Sequence, residues 1–187
     1  MALKLESDGV FENAGVPVLY CGVGKINAAL GLAGALHEHA KEGVTPPLVV
    51  NFGTVGSRVH PTGTLLGCHE FVQRDMDVRG LGFPLGVTPY DETPARLRFE
   101  PYFPSLPSAV CGSGDSFAIA EVELSCTVVD MEAYALAKVC HLAGVPFACA
   151  KYVTDGADGA APEDWKRNVH KAAEIFLNLY RELQKNL

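Results

Sequence analysis

Three short apolar runs in this chain each end in a cluster of polar or acidic residues, and that pairing constrains the fold more than any other feature. Leu48-Val49-Val50-Asn51-Phe52 leads into Gly53-Thr54-Val55-Gly56, and Thr127-Val128-Val129 leads into Asp130-Met131-Glu132. Phe147 to Val153 leads into Thr154-Asp155-Gly156-Ala157-Asp158. A strand that is apolar at successive positions is buried on both faces, so helices must cover both sides of its sheet. Helical patterns do alternate with these runs. Ile26, Ala29, Leu30, Ala33 and Leu36 recur at helical spacing, with Gly43 beyond them, and Met131 to His141 predicts a second helix. Trp165, Val169, Ala172, Phe176, Leu179 and Leu183 step along one face of a final helix. Val16 to Cys21 and Thr64 to Gln73 are further predicted strands, and Pro46-Pro47 ends the connection before Leu48. The alternation predicts a layered α/β domain, and 187 residues is the size of one such domain. Gly80 to Pro107 holds six of the twelve prolines and little periodicity, which predicts a long surface excursion within that domain.

Composition narrows the function classes. The net charge is -7, without a basic run, so a polyanion such as DNA or RNA is repelled at long range. No apolar run approaches the ~20 residues of a membrane span, and Met1 to Ser7 lacks a signal-peptide core. The expectation is a soluble, cytoplasmic protein. The six cysteines stand singly among small or apolar residues, as buried hydrophobes in a reducing compartment do, and no Cys/His spacing fits zinc. His37-Glu38-His39 reads as a solvated helix end, its two histidines pointing to different faces. Gly22-Val23-Gly24 after a strand invites a dinucleotide site, but Asn27 replaces the third glycine and the next strand carries Asn51 where an acidic residue would hold a ribose. Gly112-Ser113-Gly114 does not match a nucleophile elbow.

Ligands of open α/β sheets bind past the carboxyl ends of the strands. Any one of the three polar ends has a structural explanation in helix capping; three converging on one edge favour a site. The motifs at those ends also carry a family resemblance. Val129-Asp130-Met131-Glu132-Ala133, Val145-Pro146-Phe147 and Lys151 to Asp158 resemble the closing part of the nucleoside phosphorylase/nucleosidase fold. Gly22-Val23-Gly24-Lys25-Ile26-Asn27-Ala28-Ala29 and Asn51-Phe52-Gly53-Thr54-Val55-Gly56 are similar to two earlier signatures, and Asp75-Met76-Asp77-Val78 and Ser113-Gly114-Asp115-Ser116-Phe117 match two more in order. The likeness runs over nearly the whole chain and is nearest to the 5′-methylthioadenosine/S-adenosylhomocysteine nucleosidases.

That resemblance implies a single three-layer domain over residues 1–187, with a central mixed, twisted β-sheet flanked by helices. It implies hydrolysis of the N-glycosidic bond of purine nucleosides, 5′-modified adenosines above all, with water and neither cofactor nor metal. Asp155 would be the acid that protonates purine N7, and Glu6, in Ala2-Leu3-Lys4-Leu5-Glu6, the carboxylate that activates water. Glu132 would hold the ribose hydroxyls, with Met131 against the sugar, Phe117 stacked on the base and Ala118 beside it. Thr54 would stand near the nucleophile and Trp165 over the 5′ substituent, with Lys151 and Thr154 in the same binding set. The residue types suit the reaction: cleavage leaves negative charge on the base and positive charge on the sugar, and an acid near one with a carboxylate near the other answers both.

The chain departs from the family pattern at Leu3, where methionine is usual, at Lys151, where arginine is usual, and at Asp130, where glutamate is common. The strand that precedes the Glu6 segment in the family is mostly without counterpart here; if Glu6 is the base, Met1 to Leu5 must pair beside Val16 to Cys21 and hold it at the sheet edge. Phosphorylases of this fold carry an arginine at the place of Asn51 to hold phosphate; Arg58 and Arg74 are the remaining candidates for that task. A phosphate-dependent phosphorylase and a non-catalytic nucleoside-binding protein are the alternative readings. Relatives complete the 5′ pocket with a neighbouring subunit, so a homodimer is expected, through the apolar segment Arg79-Gly80-Leu81-Gly82-Phe83-Pro84.

Overall fold

The computed structural model describes residues 1–44 and 48–185; the expected Pro46-Pro47 connection lies outside the described residues. Two one-turn helices, α1 (Lys4–Ser7) and α2 (Val10–Asn13), precede the long helix α3 (Lys25–Lys41). Then come β1 (Val49–Gly56), β2 (Leu65–Gln73), β3 (Arg96–Arg98), β4 (Ser108–Ser113) and β5 (Val128–Asp130). The chain ends with α4 (Ala133–Ala143), β6 (Phe147–Asp155), α5 (Ala161–Asn168) and α6 (Ala173–Lys185).

The strands form one mixed sheet in the order β3-β2-β4-β5-β1-β6, and β6 also pairs antiparallel with β2, so the sheet curls back on itself. All nine residues of β6 are buried, and they alternate between two cores. Phe147, Cys149 and Val153 pack with α3 and α4 on one face, around Phe71, Leu136 and Cys140. Ala148, Ala150 and Tyr152 pack on the other, with Phe11, Phe52, Phe176 and Leu183. This is the three-layer α/β arrangement expected from the alternation. Full burial of a side chain such as Phe176 stabilises the fold by about 1.5–3 kcal/mol, and its ring stacks 5.0 Å from Phe52 across the β-sheet–helix boundary.

Four expectations need correction. Val16 to Cys21 is extended but joins no sheet. Its regular partner is only two residues long: the Met1 amino group donates to Leu19 O (3.2 Å), Cys21 N–H to Met1 O (3.1 Å) and Gly22 N–H to Ala2 O (3.1 Å). Pairing stops there because Lys4–Ser7 turns into α1 instead of continuing the ladder to Leu5. The single final helix is two. Asn168 is buried and donates its amide to Thr154 O (2.8 Å), while its own carbonyl takes Lys171 N–H (3.0 Å), and the helix restarts at Ala173. The apolar face of α3 is rotated from the expected one, with Ala28 and Leu32 buried and Ile26 and Leu30 exposed. The excursion from Gly80 to Pro107 does not stay at the surface: β3 within it pairs with β2 and buries Leu97, and β4 follows it. Ser-Ala-Val-Cys-Gly-Ser has too little apolar length to announce β4, which earns its place by parallel pairing with both β2 and β5.

Candidate active site

The carboxyl ends of β1, β5 and β6 open onto one cavity of about 590 Å³. Thr54, Val55 and Gly56 line it from β1, Met131 and Glu132 follow β5, and Asp155 closes β6. Glu6 enters from α1, Phe117 and Ala118 from the loop after β4, and Trp165 from α5. Eight of the ten residues expected in the site therefore share this cavity. Lys151 and Thr154 do not line it. Both are buried one layer behind, Lys151 against Asp130 and Thr154 against Asp155.

Asp155 sits where a register shift between Val55 and Gly56 sets it opposite Gly56. A Cβ at Gly56 would stand 2.5 Å from Asp155 Oδ1, so glycine is required for the carboxyl to lie there. Thr154 Oγ1 donates to Asp155 Oδ2 (2.8 Å) and Ala157 N–H to Oδ1 (3.0 Å). Burial nevertheless pushes its pKa up, with Asp158 and Asp164 adding to the rise. The protonated form is thereby favoured, as proton donation requires.

Glu132 caps α4 and accepts Gly24 N–H on Oε1 (2.8 Å). Burial, then the nearby Asp130 charge, raises its pKa to about 7. The Gly22-Val23-Gly24 turn thus aims its amide at a protein carboxylate, and Val23 joins the cavity wall. Asp130 itself is the reverse case. Burial disfavours its charge, but Lys151 Nζ at 2.9 Å and hydrogen bonds from Ser113 and from Ala133 N–H outweigh it and hold the carboxyl below its ordinary value. Ser113, which the sequence excluded as a nucleophile, serves here as a buried link, its oxygen also taking Tyr134 N–H (2.8 Å).

Glu6 is 4% exposed although it lies six residues into the chain. Its Oε2 accepts Ala2 N–H (2.9 Å) and Leu3 N–H (3.1 Å), and its Oε1 accepts Thr54 N–H (2.9 Å) and Thr54 Oγ1–H (3.1 Å). A Cβ at Gly53 would meet Glu6 Oε1 at 3.2 Å and Lys151 Nζ at 3.1 Å, so the bare backbone there lets both charges approach. Trp165 Nε1–H completes the group by donating to Thr54 Oγ1 (3.2 Å).

The remaining motif residues brace the walls. Lys25 pairs with Asp75 and lies 3.5 Å from Asp115 Oδ2, while Asp115 N–H donates to Asp75 Oδ2 (2.8 Å). Three signatures far apart in sequence are thereby tied together. Arg74 lines the cavity, and its terminal nitrogens donate to Ser116 O, to Ser116 Oγ (3.2 Å) and to Gly114 O (3.3 Å). Arg58 faces a separate surface cleft with Ser57 and His60. Asn51 is buried inside β1 and touches Cys149. Leu3, Ile119, Pro162 and Lys166 also line the cavity; isolated apolar or surface residues outside strand ends gave no sequence signal for this. Among the described residues, no cluster of three or more His, Cys, Asp or Glu is placed to hold a metal.

Comparison with known proteins gives the same fold and family. The 5′-methylthioadenosine/S-adenosylhomocysteine nucleosidase of Helicobacter pylori superposes with a TM-score of 0.84 at 22% identity, covering 100% of this chain and 96% of that one. The corresponding nucleosidase of Neisseria meningitidis, solved with methylthio-immucillin-A, gives 0.74 at 26% identity, over 89% of this chain and 79% of that one. A curated relative in sequence is the 5′-methylthioadenosine/S-adenosylhomocysteine nucleosidase of Actinobacillus succinogenes, 29% identical over 97% of this chain and 89% of that protein. Residues 86–185, more than half of the chain and including β5, α4, β6 and the acid end of the cavity, match the family model, and the chain belongs to the phosphorylase superfamily.

Proposed function

We propose that this chain is a purine nucleosidase that hydrolyses the N-glycosidic bond of 5′-modified adenosines, such as methylthioadenosine or S-adenosylhomocysteine, and releases the free base. The observation that carries this reading is the pair of buried carboxyls, Glu6 and Asp155, on one cavity of nucleoside size. Asp155, whose carboxyl burial shifts toward the acid form, gives its proton to N7 as the C1′–N9 electron pair leaves with the base. A water oxygen bonds to C1′ and its proton passes to Glu6. Glu132 takes the ribose hydroxyls beside Met131, Phe117 stacks on the base next to Ala118, and Trp165 covers the 5′ substituent. Lys151 and Thr154 act from behind the wall, holding Asp130 and Asp155.

Hydrolysis is favoured over phosphorolysis by where the cations are. A phosphate dianion needs charge-assisted donors. Asn51 supplies none and is sealed in β1, Arg58 faces another cleft and Lys151 is paired with Asp130; of the two cations that line the cavity, Arg74 places its terminal nitrogens on Ser116 and Gly114, and Lys166 lies 3.8 Å from Glu163. Base release from a panel of purine nucleosides, assayed with and without phosphate, tests this. Equal rates in both conditions are expected, with 5′-alkylthioadenosines preferred. Strict phosphate dependence would make the chain a phosphorylase, and binding without base release would make it a non-catalytic nucleoside-binding protein.

The unit of function in this reading is residues 1–187 as one cytoplasmic domain paired with a second copy. No described helix is long and apolar enough to cross a membrane. Support for pairing comes from exposed apolar side chains, three of which, Val23, Phe117 and Ile119, line the cavity. Ile26 is 78% exposed, Leu30 73% and Leu81 73%, and Val23, Phe117 and Ile119 are also exposed. Patches of this kind on a monomer surface mark interfaces. Within the expected segment, Arg79 is held by Asp77 and Glu123, leaving Leu81 outward. Light scattering should give a dimer at micromolar protein, and Ile26→Glu should shift it to monomer.

A further inference from the structure

Glu6 presents a difficulty for any mechanism in which it accepts a proton from water. A carboxylate offers about four acceptor positions, and the protein fills four: Ala2 N–H, Leu3 N–H, Thr54 N–H and Thr54 Oγ1–H. A water can hydrogen-bond to Glu6 only by displacing one of these donors. Three are main-chain groups fixed by the turn into α1 and by β1. The Thr54 hydroxyl alone can redirect its hydrogen by rotation about one bond. Its oxygen is meanwhile held from the other side by Trp165 Nε1–H at 3.2 Å.

We propose that Trp165 is a positioning residue for the attacking water, acting through the Thr54 hydroxyl. The indole N–H occupies one lone pair of Thr54 Oγ1 and fixes the oxygen against the Glu6 end of the cavity. The hydroxyl hydrogen then has two stations, Glu6 Oε1 when no water is bound and the oxygen of the incoming water when one is. In the second state the water donates its own hydrogen to the vacated position on Glu6 Oε1. Its oxygen is thereby oriented by one donor and one acceptor before attack. Because the Trp165 ring also lines the cavity, the wall that meets the 5′ substituent and the group that orders water are one side chain. Phenylalanine would keep the apolar ring and lose the N–H.

This inference rests on the nucleosidase reading, and steady-state kinetics on 5′-methylthioadenosine separate the two. Trp165→Phe should lower kcat roughly 3–10-fold, the size of one lost hydrogen bond, with KM within about twofold of wild type. In a Thr54→Val background, where the hydroxyl is gone, Trp165→Phe should cause no further loss of kcat. In a Thr54→Ser background, where it is kept, the loss should persist. A Trp165→Phe enzyme with unchanged kcat and a raised KM would overturn the proposal and leave Trp165 as an apolar wall. So would an equal loss of kcat in the Thr54→Val background. Absence of turnover in the wild-type protein would instead remove the nucleosidase reading and this inference together.

Discussion

The two carboxyls that line the cavity, Glu6 and Asp155, are built in different ways. Asp155 ends a nine-residue strand buried at every position, paired with β1 and β2, and its place depends on one glycine opposite it. Glu6 sits on a one-turn helix whose strand-like partner is two residues long, and its place depends on four hydrogen bonds to its own carboxylate. In the first case the scaffold positions the functional group. In the second the functional group helps to position the scaffold, because a one-turn helix has no stability of its own. Replacing each carboxyl by its amide should therefore have different consequences at the two places.

The largest expected effect is on turnover. Asp155→Asn should lower kcat by ~10²–10⁴-fold, the usual worth of a positioned general acid, while nucleoside binding and the thermal midpoint stay near wild type. A variant that fails to fold would instead make Asp155 a structural cap. Glu6→Gln should nearly abolish turnover too, with product-analogue binding retained. It should also loosen the chain: the amide NH₂ replaces an acceptor facing main-chain N–H groups, so hydrogen exchange at Ala2, Leu3 and Cys21 should quicken. Unchanged exchange in Glu6→Gln, or full activity, would erase the contrast between the two carboxyls.

Next in size is the buried pair behind the wall. Lys151→Met leaves Asp130 buried without its partner, in a place where both side chains are 2% exposed or less. Breaking such a pair costs about 3–5 kcal/mol, which denaturant unfolding would register as a lower midpoint at unchanged slope. A loss below 1 kcal/mol would mean that Ser113 and the Ala133 amide hold Asp130 unaided.

A smaller, signed effect comes from Glu132. Its folded pKa, about 7, is raised from 4.5 by burial and by Asp130. The folded state therefore holds more protons than the unfolded state between about pH 4.5 and pH 7. The stabilisation from this group is fully present below that window and is lost as pH rises through it, by up to about 3 kcal/mol. Asp155 contributes with the same sign. Glu132→Gln should flatten the fall in stability across this window, measured by urea unfolding at several pH values; an unchanged slope would place the titration elsewhere.

What the sequence made legible divides along the same line. The Asp155 side could be read because its signals are local: an apolar run, a carboxylate at its end, and a helix pattern after it. Asp155, Glu132, Met131 and Thr54 all lie at such ends. The fold's alternation was readable for the same reason, and β6 shows the two-core alternation that a buried strand implies. The Glu6 side depends on partners that no local pattern reveals. Lys4–Ser7 forms a helix rather than a strand because Glu6 turns back onto Ala2 and Leu3 and reaches across to Thr54, 48 residues away. The break between α5 and α6 arises from Asn168 bonding Thr154 O, and Ile26 and Leu30 face outward because Ala28 and Leu32 take the core side of α3. In each case a tertiary contact overrides a periodic pattern that was correctly present in the sequence.

The central claim is that water, placed by Glu6 while Asp155 protonates the base, is what attacks C1′. Incubating the protein with 5′-methylthioadenosine in ¹⁸O-enriched water, with and without phosphate, tests it most directly. Hydrolysis through these two carboxyls gives adenine and a pentose carrying ¹⁸O at C1, at a rate that phosphate does not change. A pentose 1-phosphate without the label, formed only when phosphate is present, would contradict it.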